Sequence, residues 1–218
     1  MKLYDWRQIG TIPADGGVYA WYFTPKLSTK DVNSLIEAVN QYKTASDEVS
    51  GRLAVQDFLN EHIFRYFTEQ PYNASISGPL KPLYQGVLEH NSPLSTSLVE
   101  RILADPNRLD TINRILESSV PNFSSPIYIG MSGNLFQRLS KHKALIEKYR
   151  QTPGLLLSTS GVDEEGRRDH SFAQEICTRG IPPSLLSVSV QVVPGVAQEW
   201  VDVENILNRI HFPLFGRN

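Results

Sequence analysis

The stretch "SSPIYIGMSGNLFQRLSKH", residues 124–142, decides the fold because it takes the chain from a strand directly into a helix. The β-branched and aromatic residues Ile127, Tyr128 and Ile129 predict a short strand. The following "GMSG" predicts a tight turn, which glycine makes possible. From Asn134 to about Arg150, apolar residues recur at helical spacing and predict a helix. A strand end and a helix start therefore meet at one corner.

The predicted helix carries a polar row beside an apolar one. Asn134, Arg138 and His142 follow one another at intervals of four residues, which places them on one side of the helix. We expect Arg138 and His142 at the rim of the buried face, where the planar fork of an arginine could hold a phosphate. The alternative is that Arg138 only lays its aliphatic stem over the apolar stripe. That stripe consists of Leu135, Leu139 and Ile146.

The remaining pattern predicts an α+β domain interrupted by a helical insertion. Two further strands are predicted, at residues 16–23 and 185–193. Residues 75–86 and 152–171 are punctuated by glycine, proline and serine and predict loops, the first with room for a short strand. Ser50 is a candidate N-cap, and Asp105-Pro106 is a predicted helix break. The other predicted helices are residues 29–46, 50–67, 93–104, 106–119 and 194–211.

Composition narrows the class of protein. The chain has 218 residues, of which 40% are hydrophobic, enough for a buried core. No apolar run approaches the length of a membrane span, and the first residues show no apolar signal segment. Cys177 is the only cysteine, so an intrachain disulfide and a cysteine-based zinc site are excluded. We therefore expect a cytoplasmic protein without a membrane partner.

Charge is unevenly distributed along the chain. The formal net charge is −2, but residues 29–122 contain eight basic and twelve acidic residues. The helix after the corner carries one acidic residue, Glu147, against five basic ones. A basic helix beside a glycine turn is a candidate phosphate-facing surface, and a merely solvated helix face is the alternative. The five basic residues are Arg138, Lys141, Lys143, Lys148 and Arg150.

The last predicted helix places a carboxylate among apolar residues. Its stripe is formed by Trp200, Val203, Leu207 and Ile210, and Glu204 falls on the same face. An ionised carboxylate there is unfavourable unless a cation or hydrogen-bond donors meet it. A divalent metal ion that keeps most of its waters would do so. A structural salt bridge, with Arg138 as a candidate partner, is the competing explanation.

Taken in order, these residues resemble the GIY-YIG nuclease domain. "GVY" ends at Tyr19, "YIG" starts at Tyr128, "SGNLFQRLSKH" follows, and Glu204 and a final "P…N" close the pattern. The resemblance covers residues 1–24 and 123–218 and leaves residues 25–122 as a helical insertion. Relatives usually join the two tyrosine strands by a short loop, whereas 108 residues lie between Tyr19 and Tyr128 here. Met131 stands where relatives often carry lysine.

The resemblance implies a small mixed or antiparallel three-stranded sheet flanked by helices. It also implies a divalent-metal-dependent endonuclease that hydrolyses phosphodiester bonds, with Mg²⁺ or Mn²⁺ held by Glu204. Tyr19 would be the general base or proton relay, Arg138 would stabilise charge on the phosphoryl oxygens, and Tyr128 and His142 would orient water and phosphate. Substrate-binding residues would be Gly130, Ser132, Asn134, Lys141 and Asn218, of which Asn218 would also support the metal site.

DNA is the expected substrate on family grounds, and RNA stays open as an alternative. One site of this kind cuts one strand, so cleavage of a duplex would require a homodimer or sequential cuts. The competing hypothesis is a catalytically inactive module of the same type that binds nucleic acid or protein. It would keep the basic helix but would need no metal.

Overall fold

The structure is a computed structural model and describes residues 2–68, 71–79, 81–89, 94–154, 169–194 and 197–215. The strands among these residues are β1 (Lys2–Asp5), β2 (Gly17–Phe23), β3 (Tyr72–Gly78), β4 (Lys81–Leu88), β5 (Tyr128–Ser132) and β6 (Leu186–Val192). The α-helices are α1 (Thr29–Thr44), α2 (Glu48–His62), α3 (Thr96–Ala104), α4 (Arg108–Phe123), α5 (Leu135–Gln151), α6 (Asp169–Thr178) and α7 (Ala197–His211). Short 3₁₀ turns occupy Gln8–Thr11, Phe64–Phe67 and Pro183–Leu185. The α+β class is confirmed.

The chain divides into two compact units. One comprises Met1–Lys26 and Asn113–Asn218 and is called the sheet unit below. The other is Leu27–Ile112 and is called the inserted unit. Within the described residues, no helix is both long and apolar enough to cross a membrane.

A four-stranded antiparallel sheet organises the sheet unit, in the order β1-β6-β2-β5. The expectation of three strands is wrong because β1 was not predicted. Its four residues "KLYD" are too few to show alternation, and the strand exists because it pairs with β6. Strand β2 pairs with strands on both sides, and six of its seven residues are buried. With β6, it is one of the two central strands of the sheet.

One face of the sheet carries the core of this unit. Trp21 of β2 is inaccessible to solvent and stacks on Phe172 of α6, with ring centroids 5.3 Å apart. Helix α5 packs against α6 and covers the same core. Its stripe of Leu135, Leu139 and Ile146 is fully buried, which confirms that prediction.

Helix α6 was not predicted. Its signal is the spacing of Phe172 and Ile176 at i and i+4, within a segment dominated by charged and glycine residues.

Helix α7 packs against β5 and β2. Trp200 is 9% exposed and anchors the helix, because its indole Nε1 donates a hydrogen bond to the backbone oxygen of Val193, 3.1 Å away. The indole ring leaves no room for a Cβ atom at Gly16. The predicted stripe is only half right: Val203 and Leu207 are partly buried, but Ile210 is 62% exposed.

The inserted unit combines three helices with a two-stranded ribbon. Helix α2 packs against both α1 and α3. Helix α2 begins after Asp47, whose side chain accepts a hydrogen bond from the backbone NH of Ser50, so the prediction of Ser50 as N-cap is wrong. The break at Asp105-Pro106 is confirmed. The glycine- and proline-rich segment predicted as a loop forms most of the antiparallel pair β3 and β4, so this unit is not purely helical.

Candidate functional site

The two tyrosines of the site lie on one face of neighbouring strands. In the β2–β5 pairing, Tyr19 stands opposite Gly130 and Trp21 stands opposite Tyr128. Alternate residues of a strand share a face, so Tyr19 and Tyr128 lie on the diagonal of this pair. Their ring centroids are 6.2 Å apart. The antiparallel register therefore unites residues that lie far apart in the sequence.

Gly130 provides the space that the Tyr19 hydroxyl occupies. A Cβ atom built at Gly130 would lie 2.6 Å from the Tyr19 Oη and 2.7 Å from its Cζ. These distances are shorter than van der Waals contact, and both partners sit in paired strands that leave little freedom to move. The glycine of "YIG" is thus a steric requirement for the position of Tyr19.

We expect Gly130→Ala to destabilise the protein by about 1–3 kcal/mol, the usual effect of overpacking a buried site. The melting temperature measures this loss directly. Gly133→Ala is the matched control, because a Cβ at that position would meet the Trp200 ring at an ordinary 3.5 Å. Equal melting temperatures for the two variants would contradict this steric account.

Helix α5 delivers Arg138 to the phenol of Tyr19. The Arg138 Nε donates a hydrogen bond to the Tyr19 Oη at 3.2 Å. The stem of Arg138 is partly buried, and the guanidinium reaches the two tyrosines instead of only lying over the apolar stripe. Hydrogen bonds therefore join the guanidinium and the two phenols into one polar cluster.

Residues at the start of α5 fix the direction of that helix. The Asn134 side chain accepts a hydrogen bond from the backbone NH of Gln137, and Ser132 Oγ accepts one from the NH of Asn134. The backbone NH groups of Leu135 and Phe136 donate to the carbonyl oxygens of Asp15 and Pro13. These donors are therefore used within the protein. A phosphate would have to be held by side chains and not by the helix N-terminus.

His142 lies deeper than expected. It is 1% exposed, so its predicted position at the rim is wrong. Its ring meets Tyr19 and Tyr128 edge-on, at centroid distances of 5.7 and 5.9 Å, and it stacks on Trp21. The reason is its position two turns after Asn134, where α5 already runs over the core. In this geometry His142 supports the two tyrosine rings from below.

Burial dominates the electrostatics of both phenols. It raises the pKa of Tyr19 well above its usual value, the proximity of Tyr128 adds to the increase, and Arg138 lowers the pKa by less. Burial also raises the pKa of Tyr128, against the smaller opposite effect of Arg138. Both phenols are protonated at neutral pH in this geometry. For Tyr19, the effect of desolvation on the pKa outweighs the effect of the Arg138 cation.

Glu204 of α7 lies within electrostatic range of the same group. Its negative charge raises the pKa values of both Tyr19 and Tyr128. The carboxylate is partly exposed, so it stands at the edge of the buried region and not within the core stripe. Trp200 is one helical turn earlier and holds α7 in the position that brings Glu204 there.

The donor set fits a water-rich metal site with one protein ligand. The described residues contain no group of three or more histidine, cysteine, aspartate or glutamate side chains able to hold a metal ion. A partly exposed carboxylate such as Glu204 suits a hard cation like Mg²⁺ or Mn²⁺ that retains most of its waters. A closed zinc site of three or four protein ligands does not fit this part of the chain.

The remaining predicted residues differ in their exposure and in their contacts. Lys141 is exposed on α5, whereas Lys143 and Arg150 donate to the backbone oxygens of Trp6 and Ile181. These two cations keep their charge, but each is tied to a backbone oxygen of the protein. Asn218 lies outside the described residues. Sequence reasoning missed Phe172, whose ring lies 5.0 Å from that of Tyr128 and 5.1 Å from that of His142.

Comparison of the chain with protein-family models, with curated proteins and with solved structures gave no match.

Proposed function

We propose that this chain is a divalent-metal-dependent endonuclease of the GIY-YIG type, which hydrolyses phosphodiester bonds in DNA. The observation that supports this most directly is the convergence of Tyr19, Tyr128 and Arg138 within the electrostatic range of Glu204. These residues come from β2, β5, α5 and α7, in the order that the motifs of that family require. The apolar rings beneath them hold them in place.

Arg138 would bind the scissile phosphate. Its Nε is engaged by Tyr19, which fixes the plane of the guanidinium. A guanidinium held in this way meets a phosphate without first losing rotational freedom. Its charge stabilises the negative charge that grows on the phosphoryl oxygens in the transition state.

Tyr19 would act as a hydrogen-bonding relay. Its oxygen accepts from Arg138, and its hydroxyl also makes a hydrogen bond with the Tyr128 hydroxyl, so the two phenols form one hydrogen-bonded pair. The raised pKa keeps the Tyr19 proton on the phenol near neutral pH. Tyr19 and Tyr128 can therefore orient a water molecule and a phosphoryl oxygen, whereas removal of a proton from the water falls to another acceptor.

Glu204 would hold the metal ion. When bound there, Mg²⁺ or Mn²⁺ supplies Lewis-acid stabilisation of the leaving 3′-oxygen. Glu204 is partly exposed, so a hydrated cation would reach it from solvent and not through the core. Residues 29–122 carry more acidic than basic side chains, so we do not expect the inserted unit to be a general phosphate binder.

The test is incubation of the purified chain with Mg²⁺ or Mn²⁺ and a panel of plasmid, linear, branched and single-stranded DNA, with RNA in parallel. We expect metal-dependent nicking of at least one DNA substrate, lost on chelation. A Tyr19→Phe preparation purified identically controls for contaminating nuclease, since only the hydroxyl is removed. Binding without cleavage under all these conditions would support the inactive binding module and overturn the proposal.

A further inference from the structure

The ribbon of β3 and β4 in the inserted unit has one apolar face. Tyr72 pairs with Leu88, and Ile76 pairs with Tyr84, while Ala74 and Gly86 form the pair between them. Paired residues of antiparallel strands share a face, and so do residues two apart. The four large side chains therefore lie on the same face. They flank the small pair on both sides and leave a shallow depression above it.

All four of these side chains are exposed. Tyr72, Ile76, Tyr84 and Leu88 retain 59%, 67%, 57% and 62% of their accessible surface. Together they offer an apolar patch on the order of 400 Å². A patch of this size is in the range that marks interaction sites on soluble proteins. A two-stranded ribbon is also only marginally stable without a further partner.

Charge points to the nature of the partner. Residues 70–88 contain one charged residue, Lys81, whereas residues 29–122 as a whole carry a formal charge of −4. A nucleic acid would be repelled by the acidic unit and would find one cation on the ribbon. A second, identical ribbon brings no pair of carboxylates together. The neutral, apolar face therefore favours another copy of itself over a polyanion.

The relief of the face is complementary to itself. Successive residues on one face of a strand are about 7 Å apart. A two-fold axis between the Ala74–Gly86 pair and the Ile76–Tyr84 pair would place the Ile76–Tyr84 pair of each copy over the small pair of the other copy, and the Tyr72–Leu88 pair over its Gly78 end. Such a contact is closed and uses the same surface on both chains. It would bury on the order of 800 Å², which corresponds to a weak dimer.

We propose that the apolar face of the β3–β4 ribbon, formed by Tyr72, Ile76, Tyr84 and Leu88, is a homodimer interface. The dimer forms without metal or DNA, so its existence does not depend on the proposed nuclease activity. If that activity is present, dimerisation supplies two hydrolytic sites in one assembly, as the cleavage of both strands of a duplex requires.

The test is sedimentation velocity of the full chain across about 1 to 100 μM, a range that brackets a micromolar Kd. We expect a reversible monomer–dimer equilibrium. Ile76→Glu should raise the Kd at least about 100-fold, because each dimer loses two buried isoleucines and would bury two carboxylates. The matched control is Val87→Glu, on the opposite face of the ribbon and 60% exposed, which should change the Kd less than about 3-fold.

The melting temperatures of both variants verify that each is folded. A wild-type chain that stays monomeric over the whole range overturns the proposal. Equal effects of Ile76→Glu and Val87→Glu on the Kd also overturn it. Unchanged association of Ile76→Glu together with weaker binding of a short DNA duplex would assign the face to nucleic acid instead.

Discussion

Glu204→Ala is expected to reduce metal-dependent cleavage at least about 1,000-fold, because the Lewis-acid contribution of a bound metal ion is several kcal/mol. DNA binding should be retained, since phosphate contacts come from the basic side chains. The melting temperature should change little, because the carboxylate is partly exposed. Binding of Mn²⁺, followed by its electron paramagnetic resonance signal, should be lost together with cleavage.

Asp202→Ala is the matched control for this experiment. Asp202 lies two residues earlier on α7 and is exposed, so its replacement removes the same charge from the same helix. We expect its cleavage rate and Mn²⁺ binding to match those of the wild type. If Glu204 instead forms a structural salt bridge, Glu204→Ala will lower the melting temperature. In that case the wild type itself will show no metal-dependent cleavage. Undiminished cleavage by Glu204→Ala would end the assignment of this site.

Arg138→Ala is expected to lower the cleavage rate about 100- to 1,000-fold, the usual effect of removing one donor to developing negative charge. The Kd for DNA should rise less, since one phosphate contact among several contributes modestly. Arg138→Lys should recover only part of the rate, because an ammonium lacks the planar fork that holds Tyr19 and phosphate together.

Loss of the hydrogen bond to the buried Tyr19 hydroxyl adds a structural effect, expected at about 1–3 kcal/mol. Arg150→Ala on the same helix controls for it. Arg150 donates to the backbone oxygen of Ile181 at 3.5 Å, so its replacement also removes a structural hydrogen bond. A cleavage rate that falls equally in both variants would show that Arg138 acts only through stability.

Local patterns predicted the elements that carry their own signal. The corner after Tyr128 and the buried stripe of α5 follow from residue types within a few positions of each other. Strand β1 and the β3–β4 ribbon could not be predicted in this way, because they are strands through their pairing partners and not through their own propensities. Proline and glycine in the ribbon segment are equally typical of a loop.

Site prediction had a similar limit. The order of the motifs identified Tyr19 and Tyr128, which the register of β2 and β5 brings together. It gave no measure of desolvation. His142 is buried against the rings of Trp21 and Phe172, and Phe172 belongs to a helix that the sequence barely indicates. The state of a phenol is decided by neighbours distant in the chain.

The strand order also dictates when the site can form. Strand β2, which carries Tyr19, is held on one side by residues 128–132 and on the other by residues 186–192. The inserted unit is one continuous segment, Leu27–Ile112, and is compact in itself. Early assembly of that segment shortens the effective loop that β2 must close to reach β5. On a ribosome the sheet stays incomplete until β6 has emerged, so Tyr19 and Arg138 meet in a finished sheet only late in synthesis.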